Sequence, residues 1–172
     1  MKKIIYLVLA VSFIFTACKK EEGCTDPIAT NYNGDAEEDD GSCIFGIVGV
    51  WTPYEVTVEA NVIVTIAGAT IQSFDTSYTQ TALEAGIEGN IEFTNSGTII
   101  TTNEMGVLET DNYTTSGNTV TITNSDDGET DVATYTVTKT NLSFTISDTD
   151  IEDEMGMTTT STYDMTINST RQ

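Results

Sequence analysis

In a series of runs between Tyr54 and Ile167 apolar side chains return at every second position, with threonine, serine, asparagine or an acid between them. Tyr54, Val56 and Val58 alternate with Glu55, Thr57 and Glu59; Val62, Val64 and Ile66 follow, then Ile91 and Phe93, Val120 and Ile122, Tyr135 and Val137, Leu142, Phe144 and Ile146, and Tyr163, Met165 and Ile167. A period of two places one row of side chains in a core and the other in water, the mark of half-buried antiparallel strands. Turn signals interrupt the runs at short intervals: Asn95-Ser96-Gly97, Ser116-Gly117-Asn118, Asp126-Asp127-Gly128 and Lys139-Thr140-Asn141. Such spacing joins neighbours by hairpins. Residues 46–172 are therefore expected to form an all-β domain of about eight strands. An antiparallel up-and-down β-barrel is one closure and a two-sheet β-sandwich the alternative. The barrel abolishes exposed sheet edges, an advantage for a chain rich in Thr, Val and Ile. Gln72 to Gly89 has no tidy strand pattern and is left unassigned, and Asp148 to Glu154 reads as a solvated hairpin loop.

Charge narrows the chemistry. The 172 residues carry 27 acidic and 6 basic side chains, a formal net charge of -21, and no histidine. Without histidine there is no Ser-His-Asp or Cys-His machinery and no His-ligated metal. The acidic excess argues against nucleic acid, whose phosphates require clustered Lys and Arg. After Gly46 the basic residues are Lys139 and Arg171 alone, too few for a phosphate or coenzyme pocket. No spacing singles out a catalytic pair of carboxylates, so an enzyme is not expected.

The chain opens with Lys2 and Lys3, an apolar run from Ile4 to Phe15, then Thr16, Ala17 and Cys18. A basic start, a short apolar stretch and small residues form the layout of a secretory signal, and the run is too short to span a bilayer as a helix. Phe15-Thr16-Ala17-Cys18 resembles the lipobox of bacterial lipoprotein signals. That resemblance implies removal of residues 1–17, lipidation of Cys18 and attachment to the membrane. Lys19-Lys20-Glu21-Glu22 is similar to the charged export signal of surface-exposed lipoproteins, which implies an outer-membrane protein facing the cell exterior; a periplasm-facing anchor is the alternative. With Cys18 carrying lipid, Cys24 and Cys43 remain as an even pair in an oxidising compartment, where a disulfide is expected.

Residues 18–45 then form a tether and an acidic loop. Asp26-Pro27, Asn33-Gly34 and Asp40-Gly41 are turn dipeptides and no apolar period is present, so order must come from a staple or a bound cation. Asp26, Asn31, Asn33, Asp35, Asp39 and Asp40 are the oxygen-bearing residues a calcium ion would use. The EF-hand pattern fails, because Ala36 stands where glycine is required and Ser42 where glutamate is. The segment resembles a short Cys-bracketed motif, C-T-D-P…N-Y…D-D-G-S-C, of secreted and surface bacterial proteins, which implies a small stapled module.

Gly49-Val50-Trp51 resembles the G-x-W opening of lipocalin-like barrels, and Ile91 to Phe144 is similar in rhythm to the lipocalin-like domains of bacterial lipoproteins. The resemblance implies structural roles for Gly49 and Trp51, with Trp51 plugging the closed end, and a lumen that binds a small hydrophobic ligand. The other reading is a non-catalytic structural or interaction module displayed on the cell surface. The inward-facing set separates them: Val56, Val58, Ile91, Phe93, Ile122, Tyr135, Phe144 and Met165 either leave a cavity or fill the barrel.

Overall fold

The computed structural model describes residues 20–102, 105–106 and 108–172. The signal segment and Cys18 lie outside the described residues. The chain divides into two compact units, Met1–Phe45 and Gly46–Gln172.

In the first unit, strands β1 (Glu22–Gly23) and β2 (Glu38–Asp39) form a two-residue parallel pairing. The Cys24–Cys43 disulfide closes the loop around them, with Cα atoms 4.8 Å apart. Cys24 is 1% exposed and Ala29, in the same unit, 7%. With so little apolar surface, the disulfide carries much of the order: closing a loop of about 20 residues is worth about 3 kcal/mol in the chain-entropy account.

The second unit contains β3 (Gly49–Ile66), β4 (Ala69–Thr81), β5 (Asn90–Phe93), β6 (Thr98–Thr102), β7 (Leu108–Ser116), β8 (Thr119–Thr123), β9 (Thr130–Val137), β10 (Asn141–Glu154) and β11 (Met157–Arg171). All neighbours are antiparallel. The order β3-β5-β6-β7-β8-β9-β10-β11 returns to β3 through the β11–β3 pairing, which closes an eight-stranded barrel, and β4 adds a ninth strand on β3. The expected all-β barrel is the observed fold, and the sandwich is not.

The interior is built by the alternation. Trp51, Phe93, Ile99, Tyr113, Val120, Ala133, Leu142 and Phe144 form one buried cluster, with Ile91, Ile122, Tyr135, Val137 and Ile146 packed against it. Phe93 meets Tyr113 edge-on at 5.0 Å between centroids and lies 5.5 Å from Phe144, the offset geometries aromatic quadrupoles favour. Trp51 and Val56 both face inward although five residues apart. A register shift makes this consistent, because Asn168 and Ser169 pair with Glu55 and Pro53, leaving Tyr54 as an extra residue. The bulge corrects one reading of the sequence: Tyr54 is not in step with Val56 and is 48% exposed. Ser169 is fully buried, and its hydroxyl has no hydrogen-bond partner among the described residues. A buried unsatisfied hydroxyl costs about 1–3 kcal/mol, so Ser169→Ala is expected to raise the unfolding midpoint in denaturant; a lower midpoint would mean the hydroxyl has a partner in solution.

Two long hairpins carry the sheet past the barrel. β9 pairs with β10 only from Leu142 to Ile146, whereas β10, β11, β3 and β4 continue to tips at Ala67-Gly68 and Met155-Gly156. All four tip residues have positive φ, the type I′ geometry that matches strand twist. Two readings of the sequence are corrected here. The unassigned stretch from Gln72 supplies most of β4, and Asp148 to Glu154 is not a loop but the outer half of β10.

Candidate interaction surface

The extended sheet has two unlike faces. Paired residues share a face and successive residues alternate, so the register assigns every side chain. The face continuous with the barrel interior has five rows across β4, β3, β11 and β10: Tyr78-Val58-Met165-Ile146, Thr76-Ala60-Tyr163-Asp148, Phe74-Val62-Ser161-Asp150, Gln72-Val64-Thr159-Glu152 and Ala69-Ile66-Met157-Glu154. Away from β10 it is largely apolar, exposed on the edge strand β4 and at the tip but half-buried along β3: Tyr78 is 52% exposed, Phe74 and Ile66 48% and Tyr163 43%, whereas Val58, Val62 and Val64 are half-buried. Its β10 rim is a ladder of four exposed carboxylates, Asp148, Asp150, Glu152 and Glu154, about 6.8 Å apart along the strand. That spacing is inside the screening length of about 8 Å at physiological salt, so the ladder repels itself and attracts cations.

The opposite face satisfies its own polar groups. Thr57 bonds Thr79 at 3.0 Å, Asn61 donates to Asp75, Thr145 bonds Thr166 at 2.9 Å, Ser147 donates to Asp164 and Thr158 to Asp153. An open depression on this face is lined by Glu59, Asn61, Asp75, Ser77, Thr162 and Asp164. It is open to water and three of its lining side chains are carboxylates, unlike an enclosed apolar ligand pocket.

The residues proposed to fill or empty the lumen are placed as follows. Val56, Phe93 and Phe144 are buried; Ile91, Ile122 and Tyr135 pack on the core cluster; Val58 and Met165 are half-buried on the extended sheet. Tyr113 donates its hydroxyl to the Thr94 carbonyl at 2.7 Å. Burial, and secondarily the charge of Tyr135, pushes its phenol above the ordinary value of 10.0. A raised folded-state value means that this contribution to stability is complete below pH 10 and lost as pH rises through the folded-state value. Tyr113→Phe is expected to cost about 1 kcal/mol at neutral pH and to reduce the loss of stability above pH 10, read from urea midpoints against pH; an unchanged alkaline limb would contradict this.

At one end of the barrel Gly49 and Trp51 meet a residue that sequence reasoning missed. Trp51 is fully buried and donates its indole N–H to the Ile47 carbonyl at 2.7 Å. The Arg171 guanidinium lies 4.2 Å above the indole ring. It also donates to the carbonyls of Lys139 (2.9 Å), Val48 (2.9 Å) and Gly46 (3.0 Å). Gly49 has φ +141, and a Cβ there would stand 2.6 Å from Arg171 Nη1. The backbone conformation thus favours glycine, and a side chain there would displace the Arg171 guanidinium from its place. The available signal was that Arg171 is the chain's single arginine, as Trp51 is its single tryptophan.

Five of the six residues named as calcium ligands, all but Asp35, use their side-chain oxygens within the loop. Asp26 accepts from the Ile28 N–H, Asn33 from Asp35, Asp39 from Gly41 and Asp40 from Ser42, at 2.9–3.1 Å. Asn31 bridges Ser42 and Ile44, donating at 2.6 Å and accepting at 2.7 Å. These are Asx turns and a strand-like clasp, which shape the backbone locally. The hydrogen bonds from Ser42, side chain first, hold the Asp40 carboxyl below its usual value. Among the described residues no three or more Asp, Glu, His or Cys side chains gather as a metal set, so the arrangement does not assemble the six residues around one point.

No protein-family model and no curated protein matches the chain. Among solved structures, the ywiB protein from Bacillus subtilis aligns over 70% of this chain and 93% of its own, at 11% identity and a TM-score of 0.18. A likeness of that size assigns neither fold nor function, so the closed barrel and its extended sheet stand on the register alone.

Proposed function

We propose that this chain is a lipid-anchored envelope protein whose barrel is a filled scaffold and whose working part is the apolar face of the extended sheet, a non-catalytic interaction module. The observation that carries the reading is the contrast between a packed interior and an uncovered sheet face. A small-molecule site encloses most of its ligand, typically 70–90% of the ligand surface, and an open sheet does not. A partner chain can cover such a face, and patches of exposed apolar surface commonly mark such contacts. The carboxylate ladder along β10 specifies the partner's chemistry: a cationic amphipathic segment, with apolar residues over Phe74, Tyr78 and Tyr163 and basic residues on Asp148, Asp150, Glu152 and Glu154. A second reading, a small hydrophobic ligand, draws on the continuity of this face with the barrel interior.

The test uses a synthetic amphipathic helix of leucine and lysine. It is expected to bind with an affinity that falls as salt rises, and to lose at least tenfold when the four ladder acids become Asn or Gln. Binding that ignores both changes would remove the assignment.

The anchor has its own test. Metabolic labelling with a fatty-acid probe is expected in the wild type and absent in Cys18→Ser. Equal labelling of both, or of neither, would end the lipoprotein reading. In the same account the stapled segment is a spacer that needs no ion. Calcium at millimolar concentration is expected to leave its protease resistance unchanged, and a calcium-dependent gain would restore the metal reading of Asp35 and its neighbours.

A further inference from the structure

We infer that two copies of this chain join edge to edge through β4, in an antiparallel pairing centred on Thr76, which makes one continuous eight-stranded sheet from the two extended sheets. The inference does not depend on what the apolar face binds or on the anchor.

β4 lies at the end of the sheet order and pairs only with β3. Every residue from Ala69 to Gln80 but the last is exposed. An edge strand presents a row of backbone donors and acceptors to any other strand, and proteins guard such edges with charge, proline or bulges. The two edges of the extended sheet differ in this respect. The outer half of β10 carries Asp148, Asp150, Glu152, Asp153 and Glu154, whereas β4 contains one charge, Asp75, no proline, and one bulge at Ile71, outside the stretch Gln72 to Gln80 that would pair. One edge is guarded and the other is open.

The sequence of β4 also fits itself. Around Thr76 it is a chemical palindrome: Gln72 answers Gln80, Ser73 answers Thr79, Phe74 answers Tyr78 and Asp75 answers Ser77. A two-fold axis at Thr76 therefore sets Phe74 of each copy beside Tyr78 of the other on the apolar face, the aromatic cross-strand pair that favours antiparallel sheets. It also sets each Asp75 against a serine instead of the other Asp75. Such an interface is isologous and closes at two copies. Charge selects the same edge. In the joined sheet the two β10 rims lie on opposite sides, seven strand spacings or about 34 Å apart, several times the screening length at physiological salt. Pairing through β10 would stack those acids together.

Oxidative cross-linking of the purified full-length chain tests the register. Thr76→Cys is expected to give a disulfide-linked dimer well above the level that the wild type, which shares Cys18, produces. Ser73→Cys alone is expected to stay at the wild-type level, because the two copies of position 73 are displaced by six residues, beyond disulfide reach. Mixed with Thr79→Cys, it is expected to cross-link as a heterodimer. In sedimentation, Thr76→Lys is expected to abolish association by facing two cations across the axis. Ser77→Lys is expected to tighten it about two- to tenfold by giving each Asp75 a partner. Thr76→Cys cross-linking no better than Ser73→Cys, or Thr76→Lys sedimenting as the wild type does, would overturn the pairing. A wild type that is monomeric at every concentration up to about 1 mM would do the same and would leave the β4 edge to a strand of another protein.

Discussion

Replacing Trp51 by alanine is expected to cost about 3–5 kcal/mol of stability, the usual loss for a fully buried large aromatic. The side chain is 0% exposed, touches the core cluster and supports the Arg171 guanidinium. Removing it leaves that cation without its aromatic platform and opens the barrel's end to water. Because Trp51 is the only tryptophan, the comparison is read by far-ultraviolet circular dichroism in urea rather than by fluorescence. Arg171→Lys is expected to lose much of the same stability, since an ammonium cannot reach the Lys139, Val48 and Gly46 carbonyls while stacking flat on an indole. A near-neutral Trp51→Ala would mean that the barrel end is held by something other than this stack.

Breaking the disulfide by Cys43→Ser is expected to remove about 3 kcal/mol from the first unit, the loop-closure term for its 19-residue separation. Little else offsets that loss, because the unit's acids and amides serve turns and its buried apolar residues are few. The expected result is rapid proteolysis between Cys24 and Cys43, with the barrel's urea midpoint unchanged. A barrel that unfolds earlier in the same variant would show that the two units are energetically coupled.

The fold was legible wherever one face of a strand is buried. Val120, Ile122, Leu142 and Phe144 alternate because the core selects them, and the turns at Ser116-Gly117-Asn118 and Lys139-Thr140-Asn141 stand where strands end. β4 was illegible for the opposite reason. Both of its faces meet water, so burial imposes no period on it. Asp148 to Glu154 misled similarly: a strand held by β11 alone can carry acids on both faces and still pair in register. Tyr54 follows the period by sequence and leaves it in space, because a bulge depends on the partner strand and not on the residue itself. Arg171 was unreadable because its three carbonyl partners come from two distant turns of the chain. The apolar face was half legible: Val58, Val62 and Met165 were visible as strand residues, but only the β3–β11 register shows that they share a face with the exposed Tyr163.

The central claim is that the barrel is filled and that recognition occurs outside it. Native mass spectrometry of the chain purified from the cells that make it tests this directly. The expected masses are those of the chain and of its dimer, each increased by the acyl groups that the proposed anchor would add, with no other stoichiometric small molecule retained. A discrete apolar ligand bound one to one and released only on unfolding would contradict it.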